Sequence, residues 1–340
     1  MKNIEIRRDT LASKLDDFEI FRWNNYREQQ VPNGSKFKIN QEPYLDIVLT
    51  DKCNRHCQFC IADLLDKRDD CNVSVFKDQI SWAVENFGVR EVLLVGGEPT
   101  IAPALFPILE HLKSVSQIKK VCLTTNGDRL LSRDGTITDF ATKLCSSGVT
   151  NINLSLMSLH KDIQQKIGGS ANAFHLAGLP ALHALCVKNG VSLRINSNVF
   201  RGNHDTLASI VEFYRTVSPY VHSVKFSPLL RVDNYSVVNK VIDFVVQNIL
   251  TNEEYESLFK SVEEYFSDYP VVRNPLTFGF VEYSMIIRET PIILNYNHRG
   301  QMAAKAALGL VNNLKLLTNG NLSLSWNKDD DSKVVRFPVK

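Results

Sequence analysis

An α/β fold built on a parallel sheet is predicted for this chain of 340 residues, and two observations predict it. Strand-like apolar runs alternate with amphipathic, helix-like stretches through the middle of the sequence, which is the rhythm of repeated β-α units. Six such units follow one another, and the rhythm stops near residue 231. Six are too few to close an eight-stranded barrel.

Taken in order, residues 1–40 read as N-terminal helical decoration ending in a polar loop, Val31-Pro32-Asn33-Gly34-Ser35. The first strand is the apolar run 44–49. A polar insert, 66–72, and a helix-like stretch, 76–87, follow it. The second strand, Glu91–Val95, precedes helix-like 104–113, and the third, 120–124, precedes 136–146. The fourth, 151–156, leads to helix-like 174–188. The fifth, Ser192–Val199, leads to 206–217, and a sixth strand covers 222–227. In the fifth strand Arg194, Asn196 and Asn198 alternate with Leu193, Ile195, Ser197 and Val199, so the three polar residues share one face.

Residues 231–340 lose the rhythm. A helix-like stretch, 253–266, gives way to strand-like runs at 277–281, 284–287 and 292–295 and a helix-like 302–311. Segment 314–326 then reads as a hairpin, because Asn319-Gly320 sits between alternating apolar residues.

Composition narrows the classes. A hydrophobic content of 44% with 22% charged residues is that of a globular protein, and a formal charge of +2 without a long basic block gives no nucleic-acid signal. The first residues, Met1-Lys2-Asn3-Ile4-Glu5-Ile6-Arg7-Arg8-Asp9, carry no apolar signal core. No apolar run approaches a membrane span; 241–250 is short and holds Asp243 and Gln247. Seven scattered or clustered cysteines in such a chain suit a reduced, cytoplasmic compartment.

Three of those cysteines carry the strongest chemical signal. Cys53, Cys57 and Cys60 stand in Lys52-Cys53-Asn54-Arg55-His56-Cys57-Gln58-Phe59-Cys60, just after the first strand. Cysteine thiolates hold iron–sulfur clusters, and three of them can ligate three irons of a [4Fe–4S] cubane while leaving the fourth open. A structural zinc site wants a second ligand pair. None follows, although accidental or zinc-binding cysteines stay open on spacing alone. A second signal ends the second strand: Gly96-Gly97-Glu98-Pro99-Thr100.

With the triple-cysteine loop and this Gly-Gly-Glu-Pro turn each at a strand end, the chain resembles the radical S-adenosylmethionine (radical SAM) superfamily. It is nearest to the branch containing the molybdenum-cofactor enzyme and the peptide maturases. The resemblance implies a partial (β/α)6 TIM-like barrel over 41–230, with 1–40 as decoration. The α+β extension, 231–340, is then expected to cover the barrel's open side. It implies one [4Fe–4S] cluster on Cys53, Cys57 and Cys60, and S-adenosylmethionine bound at the open iron. Cleavage of that cofactor would then give a 5′-deoxyadenosyl radical that takes hydrogen from a substrate.

By the same resemblance Phe59 lies near the adenine, or serves as packing for the loop. Gly96 and Gly97 admit the methionyl amino group, and Glu98 accepts from it. Asn126, in the strand end Thr124-Thr125-Asn126-Gly127, faces the cavity or simply makes a turn. Ser155 matches the branch's serine for the methionyl or ribose part, while Met157 replaces its frequent acid. Arg194 suits the cofactor's carboxylate through its planar fork of donors, and Asn196 shares its face; a wetted edge strand is the plain alternative. Lys225 and Ser227 are weaker cavity candidates.

Auxiliary-cluster cysteines are missing, since none follows Cys186. The hairpin resembles the start of an auxiliary domain in which Ser325 and Trp326 stand where a cysteine is expected. Cys122 and Cys145 default to core positions, Cys186 to a helix face, and Cys71 to an incidental place. The expectation is thus an enzyme acting on a small organic metabolite in natural-product biosynthesis, with an external electron donor such as flavodoxin or ferredoxin. One rival is a peptide-modifying maturase or epimerase, against which the short N-terminal segment leaves no room for a winged-helix leader-binding domain. The rival outside enzymes is an iron–sulfur or zinc protein for binding or sensing.

Overall fold

The computed structural model describes residues 26–60, 69–169, 174–229, 240–275, 280–285, 287, 290–297, 310–328 and 330–339. The expected helical decoration at 1–25, residues 66–68 of the insert, and 302–309 lie outside them. Residues 26–40 differ from the expected decoration. β1 (Tyr26–Gln30) pairs antiparallel with the start of β2 (Lys36–Val48) around the polar loop at 31–35. The cause is a period of two: Phe37 and Ile39 are buried while Lys36 and Lys38, which alternate with them, are exposed.

The β-α repeat appears where the apolar pattern puts it. After β2 come α1 (Val73–Phe87), β3 (Glu91–Val95), α2 (Leu105–Ser114), β4 (Lys120–Thr125), α3 (Asp139–Ser146) and β5 (Asn151–Ser155). A helix the pattern did not suggest, α4 (Lys161–Gly168), precedes α5 (Leu179–Lys188), β6 (Ser192–Val199), α6 (Leu207–Val217) and β7 (Ser223–Pro228). Helix ends are capped locally. Asn72 accepts from the amides of Ser74 and Val75, and Thr206 with Ser209 forms a reciprocal cap on α6.

Beyond residue 230 the chain forms α7 (Lys240–Asn248), α8 (Asn252–Tyr265), β8 (Val271–Pro275), β9 (Phe280–Met285) and β10 (Ile292–Asn297). It closes with β11 (Leu310–Leu316), β12 (Leu322–Ser323) and β13 (Val334–Arg336). The hairpin at 314–326 is present as β11 and β12 around Asn319-Gly320.

Where the last strands go differs from a simple cover. The sheet order is β13-β12-β11-β2-β3-β4-β5-β6-β7-β10-β9-β8. β10 runs parallel to β7, and β11 runs parallel to β2. Eight parallel strands, β11-β2-β3-β4-β5-β6-β7-β10, therefore stand side by side, the C-terminal segment supplying one at each edge. No β11–β10 pairing closes the run among the described residues.

The parallel strands bury alternate residues. On β6, Leu193, Ile195 and Val199 are fully buried and join one apolar core with the helices. The other set, Arg194, Asn196 and Asn198, is only half-buried, and the same alternation runs through β3, β4 and β5. The sheet thus has an apolar face under helices and a polar face. Cys122 lies on the polar face, not in the core as its apolar neighbours suggested: on β4 the buried positions are Val121, Leu123 and Thr125. Cys145 and Cys186 are buried in the core. No helix among the described residues is long and apolar enough to cross a membrane.

The β2–β11 edge holds a buried polar lock. Asp46 pairs in register with Lys315, and Asp46, Asn313 and Lys315 are each at most 2% exposed. Asn313 donates to the Asp46 carboxylate, and Lys315 Nζ donates to Asn313 Oδ1 (3.1 Å) and to the Leu324 carbonyl (3.1 Å). Burial pushes Asp46 up to about 7 and Lys315 down to about 8, each opposed by the other's charge. Lys315→Met removes one member and is expected to destabilise the chain by about 3 kcal/mol in urea unfolding, because it strands a buried carboxyl among polar groups. The double change Asp46→Asn with Lys315→Met should recover most of that loss.

Candidate functional site

Cys53, Cys57 and Cys60 occupy the loop that leaves the carboxyl end of β2, and all three are half-buried and outside any disulfide. The loop is held from two sides. On one side the amides of His56 and Gln58 donate to the carbonyls of Gly168 (3.0 Å) and Ile167 (2.9 Å) at the end of α4. Gly169 ends that helix at φ +56°, and a Cβ there would lie 2.2 Å from the His56 carbonyl oxygen. On the other side Arg55 turns inward and forms a bidentate ion pair with Asp128, both side chains under 10% exposed. Asn54 also donates to Asp128 (3.0 Å) and accepts from Asn126 Nδ2 (2.8 Å).

The Gly-Gly-Glu turn lies against the entry to this loop. Gly97 N donates to Thr50 O (2.8 Å), and Glu98 N donates to Lys52 O (2.8 Å). A Cβ on Gly96 would sit 2.3 Å from Thr50 O, and one on Gly97 would sit 2.2 Å from Lys52 O. The contact demanding glycine here is therefore with the protein's own backbone. Glu98 is buried. Its Oε1 accepts from Thr100 N (3.0 Å), Thr100 Oγ1 (2.7 Å) and Thr125 Oγ1 (2.7 Å), and its Oε2 accepts from Asn126 N (2.7 Å). One carboxylate so joins the turn to the end of β4.

The remaining predicted residues fall at different depths of the polar face. Ser155, the last residue of β5, Asn196 and Lys225 are cross-strand neighbours in one row. Arg194 pairs with Asn153 and Ser223 instead, two residues deeper on β6. That is about 7 Å at the usual strand rise. Its Nε donates to Ser223 Oγ (3.1 Å). The Oδ1 of Asn196 is buried without a hydrogen-bond partner among the described residues. Phe59 packs on a small apolar cluster with Phe200, 6.1 Å between ring centroids, and with Met157 and Phe244.

The Arg55–Asp128 pair, the seat at Gly168-Gly169 and a third brace escaped sequence reasoning. That brace is Asp51, which accepts from Lys328 Nζ (2.6 Å) and Thr318 Oγ1 (2.8 Å). The partners are far apart in the chain. Only the glycine pair and the turn Asn126-Gly127-Asp128 left a local trace.

The residues fit a cluster with an open iron. Burial, as its largest cause, raises the Cys53 thiol and pushes Cys57 up to about 12, so a thiolate there needs a metal centre to hold its charge. Arg55 N donates to Cys53 Sγ (3.4 Å), a bond that favours the thiolate. No three His, Cys, Asp or Glu side chains among the described residues converge on a single ion, and a cubane asks each thiolate to reach a different iron. The orphaned Asn196 Oδ1 and the Ser155 hydroxyl beside it stand ready for a polar ligand.

Comparisons with known proteins bear on the family and the fold. The family model for the radical SAM superfamily matches residues 47–217. A GTP 3′,8-cyclase of Aquifex aeolicus is 26% identical over 237 residues, 68% of this chain and 67% of that protein. A GTP 3′,8-cyclase of Synechococcus elongatus is 30% identical over 217 residues, 62% of each. A third, from Clostridium perfringens, is matched over 50% of its own length, so the chain spans about half to two thirds of these relatives. In fold, the chain is similar to Streptococcus suis SuiB bound to S-adenosylmethionine. The TM-score is 0.59 at 16% identity, with 85% of this chain and 61% of that one covered.

Asp128→Ala leaves the Arg55 charge buried and alone. It is expected to cost about 3–5 kcal/mol of unfolding free energy and to lower the iron retained after reconstitution. Lys120→Ala, which breaks an exposed pair with Glu91, should cost under about 1 kcal/mol and leave iron content unchanged.

Proposed function

This chain belongs to the radical SAM superfamily, and we propose that it abstracts hydrogen from a small organic metabolite using a single [4Fe–4S] cluster. It is an enzyme of a family that uses a [4Fe–4S] cluster and S-adenosylmethionine. When bound, these supply an electron and, by cleavage of the sulfonium, a 5′-deoxyadenosyl radical. The observation that carries the reading is the three-thiol loop hydrogen-bonded at 2.8 Å to the Gly-Gly-Glu turn.

In this proposal Cys53, Cys57 and Cys60 hold three irons and leave the fourth for the cofactor's amino and carboxylate groups. Gly96 and Gly97 keep the turn flat against Thr50 and Lys52, so that its outer edge borders the open iron. Glu98 spends Oε1 on three protein donors, and Oε2 keeps a lone pair for the cofactor's amino group. Asn126, whose amide and side chain are both tied down, holds the turn after β4 in place. Ser155 and Asn196 meet the cofactor's ribose or methionyl part, and Phe59 closes the loop's apolar side. The compartment in this reading is reducing and cytoplasmic, and an external donor such as flavodoxin or ferredoxin supplies the electron.

A small substrate is favoured over a peptide by the relatives named as GTP 3′,8-cyclases, which act on a nucleotide. The SuiB precursor-peptide complex is similar in fold, TM-score 0.58, but at 16% identity carries no substrate argument.

Anaerobic reconstitution should yield about four irons per chain. Alanine at Cys53, Cys57 or Cys60 should remove both the visible cluster absorption and reductive cleavage of S-adenosylmethionine, whereas Cys71→Ser should keep both. About eight irons, or release of no 5′-deoxyadenosine by a fully loaded wild-type protein under dithionite, would sink the reading.

A further inference from the structure

We infer that Asn295, on the C-terminal strand β10, is a substrate-recognition residue, and that the substrate group it meets is an uncharged hydrogen-bonding group, a carboxamide or a hydroxyl. The inference rests on the radical SAM reading of the site and adds the chemical class of the substrate.

Register places Asn295 at the site. β10 runs parallel to β7 with Ile293 beside Lys225 and Leu294 beside Phe226, so Asn295 comes beside Ser227. Its Nδ2 donates to Ser227 Oγ (3.3 Å). Ser227 pairs in turn with Asn198 on β6, and the Asn198 amide donates to the sulfur of Met157 (3.4 Å), two residues beyond the end of β5. Met157, Asn198, Ser227 and Asn295 therefore form one row across β5, β6, β7 and β10. The row lies nearer the carboxyl ends than that of Ser155, Asn196 and Lys225. Ile292 and Leu294 alternate with Asn295 and are fully buried in the apolar core.

Burial singles out the end of this row. Met157, Asn198 and Ser227 are half-buried. Asn295 is 8% exposed, and its Oδ1 has no hydrogen-bond partner among the described residues. Buried amide oxygens are nearly always paired, and one left alone destabilises the fold. Packing at this edge is served by an aliphatic side chain, as at Ile293 two residues earlier on the same face. An amide held by Ser227 on one side and left open on the other is placed to read a ligand.

The chemistry of the row decides the class. None of its four side chains carries a charge, and the residue that continues the register on β9, Glu282, is acidic. Lys225 lies one row deeper on β7. The row therefore has no cation to receive a carboxylate or a phosphate, and its orphaned oxygen asks for one N–H or O–H donor. If the Asn295 amide is turned over, Ser227 donates to Oδ1 and Nδ2 is left to donate to the ligand. A carboxamide or a hydroxyl serves either orientation, because each both donates and accepts. Position separates the residue from the cofactor as well. The groups proposed for S-adenosylmethionine end at Asn196 on β6, and β10 lies two strands beyond β6 in the sheet order.

The test uses the reconstituted holoenzyme saturated with S-adenosylmethionine, titrated calorimetrically with probes that share one carbon chain and differ in their end groups: succinamide, the corresponding diol, and succinate. A neutral probe should bind the wild type more tightly than succinate does. Asn295→Leu should weaken that binding by about tenfold or more, with cluster absorption unchanged and cofactor affinity by equilibrium dialysis within about twofold. Ser227→Ala should weaken it by less, since Asn295 stays and loses only its anchor. Preference for succinamide marks an amide-bearing substrate, and preference for the diol a hydroxylated one. Binding of no neutral probe by the wild type, tighter binding of succinate, or neutral binding unchanged in Asn295→Leu would overturn the inference. So would loss of cofactor affinity in Asn295→Leu with cluster absorption intact, which would give the amide to the cofactor. If Asn295→Leu does not fold, neutral binding unchanged in Ser227→Ala overturns it instead. Iron content and cofactor cleavage of the wild type are scored first, so failure of the radical SAM reading is seen separately.

Discussion

The hydrogen-bond ladder between the first two parallel strands of the repeat does not stop where the strands do. Leu49 N donates to Val95 O (3.0 Å), and Gly97 N and Glu98 N continue the ladder to Thr50 and Lys52. This extension brings the cysteine loop and the Gly-Gly-Glu turn into one rigid unit. It is possible only because neither turn residue carries a Cβ, since each would press within 2.3 Å of a carbonyl oxygen. Glu98 then extends the unit to the end of β4 by accepting from Thr125 and Asn126. The Arg55–Asp128 pair ties the far part of the loop to the same turn. Three strand ends are thereby fixed relative to one another, which is what a ligand spanning them requires.

Such a site has to be supported from the edges of its sheet. The β2 edge would otherwise expose unpaired backbone groups next to the cluster loop, and an exposed parallel edge is both unstable and sticky. β11 covers it through the Asp46–Asn313–Lys315 lock, and the hairpin beyond β11 brings Thr318 and Lys328 onto Asp51, two residues before Cys53. Lys52 is paired with Asp70 (2.6 Å) on the returning side of the loop. The C-terminal segment thus braces the cluster loop without supplying a cysteine of its own. At the opposite edge β10 extends the polar face past β7 and contributes Asn295. Its role is more than shielding, because the sheet's two outer parallel strands belong to it.

The polar face unites these features. Alternation along β3 to β7 puts the apolar set under the helices and leaves asparagines, serines, Arg194 and Lys225 facing the other way. A purely packing role would not maintain buried amide oxygens that lack partners among the described residues, because each costs free energy on the order of 1–3 kcal/mol when left unmade. Placing such groups below the strand ends is the arrangement expected where a polar substrate completes them.

Local pattern by itself determined the repeat, the polar alternation of Ser192–Val199, the hairpin at Asn319-Gly320 and the two motifs at strand ends. Each is written in neighbouring residues, and period-two burial or a turn residue's backbone preference needs no partner to be recognised. What only the tertiary structure decided are the contacts between distant residues. Arg55 meets Asp128, Asp51 meets Lys328, and Asp46 meets Lys315 across separations that leave no local signature. Cys122 read as core because its flanks are apolar, yet the register of β4 turns it to the polar face. The C-terminal strands joined both edges of the sheet because two open edges had to be paired, a demand made by the assembled sheet and by no segment of sequence. Arg194 shares its face with Asn196 in any strand, but its height above or below a ligand depends on pairing with Ser223, and that is settled only when β6 and β7 lie side by side.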